Sequence, residues 1–225
     1  MIKTVELNDL CYAVKDGGKD RKLINHISYS FEKNKITVIS GASGAGKSTL
    51  LHAAAGLLPR IDAGDVRVLG TPVYTLSEKE RDLFRLTHVS MIFQELNLFS
   101  FMNVKQNICV PLYAKKRKVT ADVEERISYY LDLLNLGQIQ GKDLCNLSGG
   151  ERQRIAIVRA VIDCPEIILC DEPTANLDNE NSILFLRHLR TIVDQTGITA
   201  IIVSHDMTTA QFADVKLNMA DGKLV

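Results

Sequence analysis

The sequence has 225 residues and carries 27 basic (Lys and Arg) and 27 acidic (Asp and Glu) side chains, so its formal net charge is zero. A balanced chain offers no overall field that would attract nucleic acid or an anionic membrane, and partners have to be inferred from local sites. The length suits one large α/β domain, or one domain with a sizeable insertion, and it allows a substantial buried core.

The five cysteines form no CxxC pair, and most of them lie among apolar residues. This pattern favours reduced thiols over disulfides or a zinc site, and it is typical of a cytosolic protein. No apolar run approaches the roughly 20 residues that a membrane-spanning helix needs. We therefore expect the chain to be soluble by itself.

The N-terminal residues predict antiparallel strands with a turn at residues 16–18. The apolar alternation behind this prediction is Val5, Leu7, Ile27, Tyr29 and Phe31. Further hairpins are predicted at 64–73 and at 215–225, and apolar spacing through 183–189 predicts a helix.

A glycine-rich segment, Gly41-Ala-Ser-Gly-Ala-Gly-Lys-Ser48, follows an apolar strand at 36–39 and precedes a helix at 49–55. This is a P-loop pattern: main-chain N–H groups can surround a polyphosphate, Lys47 adds a positive charge near the β- and γ-phosphates, and the Ser48 hydroxyl can ligate Mg²⁺. A glycine-rich turn that only caps a helix is the alternative. The candidate nucleotide-binding residues are Gly41, Ala42, Ser43, Gly44, Ala45, Gly46, Lys47, Ser48 and Thr49.

Tyr12 and Gln94 each allow a functional and a structural interpretation. The Tyr12 ring, ahead of the P-loop strand, could stack on a nucleobase or pack inward, and spacing leaves this open. Gln94 follows a predicted strand at 89–93 and could offer its oxygen to a metal or an attacking water. Taken alone, a solvated loop glutamine is the better interpretation of Gln94.

Residues from about 97 to 160 predict a helical insertion. Thr120 precedes an acidic first turn, and apolar residues then recur at helical spacing until Gly137. A second helix begins at Leu147-Ser-Gly-Gly-Glu151 and ends before Pro165, and its N-terminus can face an anion. The apolar residues just after Gln94, which could be core of this insertion, are Leu96, Leu98, Phe99, Phe101 and Met102.

Two carboxylates follow a fully apolar strand at 167–170. At the carboxyl edge of a parallel sheet, Asp171 can hold Mg²⁺ through water while Glu172 polarises the water that attacks the γ-phosphate. His205 follows another apolar strand, at 199–203, so we expect it at the same edge. The alternatives are an acidic turn and a structural histidine, and a lone histidine at a strand end is more often structural.

Taken together, these motifs resemble the nucleotide-binding subunits of ABC transporters, in order and at matching spacing. They are the P-loop, Gln94, Leu147-Ser-Gly-Gly-Glu151, Asp171-Glu-Pro-Thr174, Asn176-Leu-Asp178 and His205. The resemblance covers essentially the whole chain. It implies an α/β fold of ABC ATPase architecture, in which a P-loop NTPase (RecA-like) core carries an antiparallel β subdomain and an α-helical insertion at about 97–160, within one domain, 1–225. It also implies ATP and Mg²⁺ as ligands.

The resemblance gives roles to single residues. The implied catalytic residues are the base Glu172, the switch histidine His205 and the Q-loop glutamine Gln94. The implied metal ligands are Ser48, Gln94 and Asp171, and Tyr12 is implied to stack on adenine. The residues implied to act across a dimer interface, on ATP held by a second copy or a homologous ATPase subunit, are Ser148, Gly149, Gly150 and Asp178.

The short form of the chain and the runs at 93–98 and 171–178 are most similar to ATPases of the macrolide-exporter and lipoprotein-releasing group. This implies an ATPase that powers a transmembrane permease subunit from the cytoplasmic face of the membrane, with no nucleic acid partner. Ala175 replaces a glycine that is frequent in this group, which leaves ATP hydrolysis unaffected. The apolar residues at 96–102 would then lie beside the groove that receives a permease helix.

Other protein classes share parts of the pattern. A chromosome-maintenance or DNA-repair ATPase places a long coiled coil between the P-loop and the signature serine, where this chain has only about a hundred residues and no heptads. A ribosome-associated ABC protein carries two cassettes in one chain. A small-molecule P-loop kinase has no need of Ser148 or His205.

Overall fold

The computed structural model describes residues 3–17 and 19–225, so Gly18, in the predicted turn, lies outside the described residues. The strands are β1 (Lys3–Asp16), β2 (Lys19–Glu32), β3 (Ile36–Ser40), β4 (Ala63–Val68), β5 (Thr71–Pro72), β6 (Val89–Ile92), β7 (Ile167–Asp171), β8 (Thr199–Val203), β9 (Val215–Ala220) and β10 (Lys223–Leu224). The helices are α1 (Lys47–Ala54), α2 (Glu78–His88), α3 (Val104–Ile108), α4 (Val110–Ala114), α5 (Ala121–Leu133), α6 (Gly149–Val161) and α7 (Asn179–Thr196). Short 3-10 turns occupy Val73–Thr75, Leu144–Asn146 and Thr209–Phe212.

The first sheet is antiparallel and has the order β2-β1-β4-β5. β1 and β2 form the predicted N-terminal pair, with Val5 opposite Phe31 and Leu7 opposite Tyr29. Val5, Leu7 and Phe31 are buried, because side chains alternate between the two faces of a strand and these apolar ones share the inner face. The predicted hairpin at 64–73 corresponds to β4 and β5, and β4 pairs with β1.

The second sheet has the order β10-β9-β3-β8-β7-β6, and all its pairs except β10 with β9 are parallel. Ile168 and Cys170 of β7 pack with α5, α6 and α7, whereas Ile167 and Leu169 pack with α1 and the first sheet. Because both faces are covered, the strand is apolar throughout. The carboxyl ends of the parallel strands meet at one edge, and the P-loop, Gln94, the two carboxylates and His205 follow there.

The segment predicted as a helical insertion contains α3, α4, α5 and most of α6. Val123, Ile127 and Leu131 of α5 are buried, as their spacing predicts. They belong to the same apolar cluster as Ile168 of β7, so the insertion and the sheet share one core. The limits of 97–160 as a subdomain therefore stay a prediction. Among the described residues, no helix is long and apolar enough to cross a membrane.

The helix α2 is not among the predicted elements. None of its residues is buried, and its only three apolar residues, Leu83, Phe84 and Leu86, lie close together near its end. Its N-terminus does carry a readable signal, because the Ser77 hydroxyl accepts from the Glu80 N–H and the Glu80 carboxylate accepts from the Ser77 N–H at 3.0 Å. This reciprocal pair is a capping box, and the spacing Ser-x-x-Glu predicts it.

Candidate active site

The P-loop turns between β3 and α1, and two of its glycines lie where no side chain fits. Gly41 has φ 152°, and a Cβ there would come 2.2 Å from the carbonyl oxygen of Met219 on β9. Gly46 has φ 102°, and a Cβ there would come 2.2 Å from the carbonyl oxygen of Leu23 on β2. Only glycine tolerates this combination of backbone conformation and close approach. Main-chain packing against two strands therefore sets the course of the loop.

Replacing Gly46 with alanine is expected to weaken binding of a nucleoside triphosphate about tenfold or more, because either the loop or β2 must move away. Gly70→Ala is the matched control, since Gly70 has φ +80° but nothing within 4 Å of a Cβ. The control therefore carries the backbone strain without the collision. Calorimetric titration with ATP, alongside urea unfolding, measures both effects. Parental affinity in Gly46→Ala would show that this contact does not shape the binding loop.

Lys47 is buried, with 6% of its surface exposed. Its ammonium donates hydrogen bonds to the carbonyl oxygens of Gly41 (2.8 Å) and Ala42 (3.1 Å), and it lies 3.8 Å from Glu172 Oε1. A charge taken out of water needs such partners. The loop thus holds the ammonium with neutral acceptors and one carboxylate, which phosphate oxygens can replace.

Asp171 and Glu172 direct their carboxylates to different partners. Asp171 Oδ1 accepts a hydrogen bond from Ser48 Oγ at 2.7 Å. Glu172 Oε2 accepts one from the main-chain N–H of His205 at 3.2 Å and lies 2.8 Å from His205 Nδ1. Glu172 has φ 46°, a left-handed conformation that is uncommon for a residue with a side chain. Burial raises the pKa of the preceding Cys170 thiol, so this group adds no charge beside the two carboxylates.

A cavity of about 550 Å³ brings nine of the predicted site residues together. Gln94, Glu172 and His205 enter it from the carboxyl ends of β6, β7 and β8. The remaining lining residues are Arg21, Leu23, Ser43, Gly44, Gly46, Lys47, Ser48 and Thr49. An ammonium, a carboxylate and an imidazole that converge on one concave surface suit a polyanion that is attacked by water.

Three residues at the site are missing from the sequence prediction. Arg21 and Leu23 line the cavity from β2, and His52 Nε2 on α1 lies 3.7 Å from Asp171 Oδ2. The contacts of Arg21 and Leu23 with the cavity follow from how the first sheet packs on the P-loop, and no local sequence pattern predicts them. His52 does have a signal, because it lies four residues after Ser48 and so on the same helix face.

Tyr12 is not among the described residues that line this cavity. It lies on β1 opposite Ile24, and its half-buried side chain packs against the core between the first sheet and α1. Its role as an adenine-stacking residue therefore stays a prediction.

Ser148 and Asp178 each cap a helix. The Ser148 hydroxyl accepts from the Glu151 N–H, and the Glu151 carboxylate accepts from the Ser148 N–H at 2.7 Å, which lowers the pKa of Glu151. Asp178 accepts from the Asn181 N–H at 2.8 Å, and this hydrogen bond lowers the pKa of Asp178. Both caps are exposed. Residues 148–150 are not among the described residues of the P-loop cavity, so a nucleotide that they contact would lie in a different cavity.

The donor atoms near Ser48 fit a hard divalent cation. Ser48 supplies a hydroxyl, Asp171 a carboxylate, and Gln94, which is exposed and lines the cavity, an amide oxygen. No group of three or more His, Cys, Asp or Glu side chains in the described part of the chain could hold an ion. Mg²⁺ needs no such group, because it keeps several water ligands and is usually bound by only one or two carboxylates together with substrate phosphates.

Comparison with known proteins decides the family. A protein-family model described as ABC transporter matches residues 24–175. The chain belongs to the ABC transporter family. It is an ATP-binding, ATP-hydrolysing subunit of the kind that serves transporters, which confirms the predicted activity and does not favour the DNA-repair or ribosome-associated alternatives.

The curated relatives of this ABC ATPase include transporter subunits of several kinds. The lipoprotein-releasing system ATP-binding protein LolD of Blochmanniella floridana is 37% identical, over 94% of this chain and 85% of the relative. The methionine import ATP-binding protein MetN of Haemophilus influenzae is 35% identical, over 98% of this chain and 64% of the relative.

Solved structures of ABC cassettes have the same fold. A dimeric post-hydrolysis state of the ATP-binding cassette MJ0796, bound to ADP and Pi, is 27% identical with a TM-score of 0.86, over 98% of this chain and 96% of that one. CbiO1 of Clostridium perfringens, part of the ABC transporter complex cbiONQ, is 25% identical with a TM-score of 0.86, over 99% of this chain and 87% of that one. These matches confirm the predicted ABC ATPase architecture.

Proposed function

We propose that this ABC ATPase hydrolyses Mg-ATP as one of two cassettes that power a membrane transporter of the lipoprotein-releasing or macrolide-exporting type. The observation that carries the proposal is the convergence of Lys47, Glu172 and His205 on one cavity, in a chain that resembles LolD over 94% of its length. Release or export is the finer part of the proposal, because the methionine importer MetN is nearly as similar, at 35% identity.

The P-loop and Lys47 bind the β- and γ-phosphates. As phosphate oxygens replace the carbonyl oxygens of Gly41 and Ala42 around the ammonium, a charge-assisted interaction replaces two neutral ones. When held by Ser48, Asp171 and Gln94, Mg²⁺ would neutralise charge on the phosphates.

Glu172 acts as the general base. Its carboxylate, only 15% exposed and oriented by His205, takes a proton from a water whose oxygen bonds to the γ-phosphorus while the bond to the ADP oxygen breaks. His205 lines the same cavity and can contact the γ-phosphate as charge develops there. Gln94, at the end of β6, orients the attacking water, and its amide oxygen would be a ligand of Mg²⁺ when the ion is bound.

The active form is a dimer with a second copy or a homologous ATPase subunit. At the N-terminus of α6, where Ser148 and Gly149 are exposed and Gly150 is half-buried, the two glycines offer N–H groups and the helix offers a positive dipole end to an anion on another molecule. Asp178, exposed at the start of α7, would cross the same interface. Relatives whose structures are described as dimeric support this arrangement.

A transmembrane permease subunit attaches the ATPase to the cytoplasmic face of the membrane. The docking surface that we assign is an apolar cavity of about 310 Å³, lined by residues that include Leu86, Met91, Phe99 and Pro111. Phe99 is 40% exposed and Phe101 is 79% exposed, which excludes the alternative that they are core, while Leu98 packs against the core. An amphipathic helix with large apolar side chains fits such a groove.

Replacing Phe101 with aspartate is expected to lower the amount of ATPase that co-purifies with membranes about tenfold or more, because a charge would be buried against the permease helix. The fold should not change, since the ring is 79% exposed. Phe101 borders the docking surface through Phe99, which lines the cavity, because the two rings lie with their centroids 5.6 Å apart. Tyr129→Asp is the matched control, an aromatic residue of α5 that is 52% exposed and does not line the cavity. Membrane fractionation with a thermal melt of each variant measures both properties. Undiminished membrane association of Phe101→Asp would refute the docking surface.

The transporter type is tested on the complex recovered from solubilised membranes. We expect a multispanning permease in the recovered material, and we expect acylated lipoprotein or a macrolide, but not methionine, to stimulate its ATP hydrolysis. Stimulation by methionine alone would assign the chain to import.

A further inference from the structure

The segment from Gln94 to Leu98 links the sheet to the helical insertion and is anchored firmly at both ends. β6 fixes its start, because it pairs with β7 up to Ile92. Asn107 fixes its end: this fully buried side chain accepts from the Phe99 N–H at 2.8 Å and donates to the Phe99 carbonyl at 3.1 Å. The middle of the segment has no secondary structure of its own.

Arg159, on the last turns of α6, holds that middle part. Its Nη1 donates to the Asn97 carbonyl at 2.7 Å, and its Nη2 donates to the Leu96 carbonyl at 2.5 Å. Within residues 3–17 and 19–225, these are the only hydrogen bonds to the main chain of 95–98. The guanidinium is half-buried, and this burial lowers the pKa of Arg159. Removing the guanidinium would take away the only protein donors that these two carbonyl oxygens have among the described residues.

Packing holds Leu98 against the core but does little to hold the middle of the segment, which lies between two cavities. One, of about 310 Å³, is lined by Asn97, Phe99 and Arg159 among others. The other, of about 500 Å³, is lined by Gln94, Leu96, Asn97 and Gly149 among others. Close-packed neighbours would fix the position of a loop, but open space on both sides allows it to shift. The two hydrogen bonds from Arg159 therefore decide where Leu96 and Asn97 lie.

We propose that Arg159 is a positioning residue that ties the Gln94 segment to α6 and so sets how far the Gln94 amide reaches into the P-loop cavity. Leu96 is two residues after Gln94, so a displacement of the Leu96 carbonyl displaces the Gln94 side chain as well. The other end of α6 carries Ser148 and Gly150. Movement of α6 when a partner cassette engages its first turn would thus be transmitted through Arg159 to Gln94. The proposal rests on the catalytic role proposed for Gln94.

A double-mutant cycle on ATP turnover tests this link. We expect Arg159→Met to lower the turnover at saturating Mg-ATP about tenfold with less than about a threefold change in ATP affinity. In a Gln94→Ala background, where there is no amide to position, Arg159→Met should lower turnover by less than about twofold further. Arg159→Lys keeps the charge but can reach only one carbonyl well. Its turnover should therefore lie between that of the parent and that of Arg159→Met.

Arg187→Met is the matched control, an exposed arginine on α7. If Arg159→Met is unstable in a thermal melt, Arg159→Gln takes its place in the cycle, because its amide is neutral and can donate to one carbonyl only. A merely structural role would change stability and leave the two turnover effects independent of one another.

A fluorescence signal reports the segment directly. The sequence contains no tryptophan, so Phe93→Trp places a single reporter next to Gln94. We expect its emission to change on addition of Mg-ATP, and we expect Arg159→Met to abolish that change at saturating nucleotide.

The outcomes separate this inference from the proposed function. If Gln94→Ala lowers turnover and Arg159→Met lowers it by an independent, multiplicative factor, Arg159 does not act through Gln94 and the inference is wrong while the ATPase mechanism stands. Parental turnover in Arg159→Met also overturns it. Parental turnover in Gln94→Ala removes the catalytic role of Gln94 and the inference with it.

Discussion

Replacing Glu172 with glutamine is expected to reduce ATP turnover by a factor of about 10²–10⁴, the usual contribution of a general base, while ATP still binds. The amide keeps an oxygen that can accept from the His205 N–H, but it cannot take a proton from water. Glu172 Oε1 also lies 3.8 Å from the Lys47 ammonium, so the carboxylate competes with phosphate for that charge. Its loss should leave ATP affinity unchanged or higher.

Phosphate release and nucleotide titration measure the two halves of this prediction. Size-exclusion chromatography with Mg-ATP adds a third readout, because a cassette that binds ATP without hydrolysing it should accumulate as a dimer. Glu125→Gln, at an exposed position of α5, is the control for loss of a carboxylate elsewhere. If Glu172→Gln hydrolyses ATP at the parental rate, the base is another residue.

The sequence predicts the positions of Glu172 and His205 well, for a simple physical reason. Buried parallel strands are short apolar runs, and a polar residue directly after such a run lies at the carboxyl edge of the sheet. Three of the four strands that carry site residues, β3, β7 and β8, are of this kind, and β6 pairs beside β7. Knowing the strands was therefore enough to place the P-loop, both carboxylates and the histidine at one edge.

The features that the sequence does not predict depend on contacts between distant parts of the chain. The main chain of Leu23 lies close to Gly46, and Arg159 donates hydrogen bonds to carbonyl groups of the Gln94 segment. No local sequence pattern predicts either contact. The left-handed conformation of Glu172 is likewise set by its neighbours, since the residue type does not favour it. Tyr12 shows a further limit of prediction from sequence. An aromatic residue on a strand can face the core or a ligand, and the spacing of the apolar residues is the same in both cases.

Replacing Lys47 with alanine is expected to weaken ATP binding about a hundredfold or more, because a phosphate chain loses at least one charge-assisted hydrogen bond, worth about 1.5–3 kcal/mol, and a full counter-charge as well. Stability should change little. The carbonyl oxygens of Gly41 and Ala42 lose their donor in the variant, but the Lys47 side chain that they contact lines a cavity of about 550 Å³ that water can enter. Water can then replace the ammonium at both oxygens.

Calorimetric titration with Mg-ATP and a thermal melt test the Lys47 prediction together. Lys79→Ala, at an exposed position of α2, controls for the general loss of one positive charge. Added salt should weaken ATP binding to the parent more than to Lys47→Ala, because screening acts on a charge that the variant no longer has. A near-parental affinity in Lys47→Ala would mean that the ammonium stays with the loop carbonyls and with Glu172 when nucleotide binds, and the phosphate-binding role would pass to the main-chain N–H groups of the P-loop.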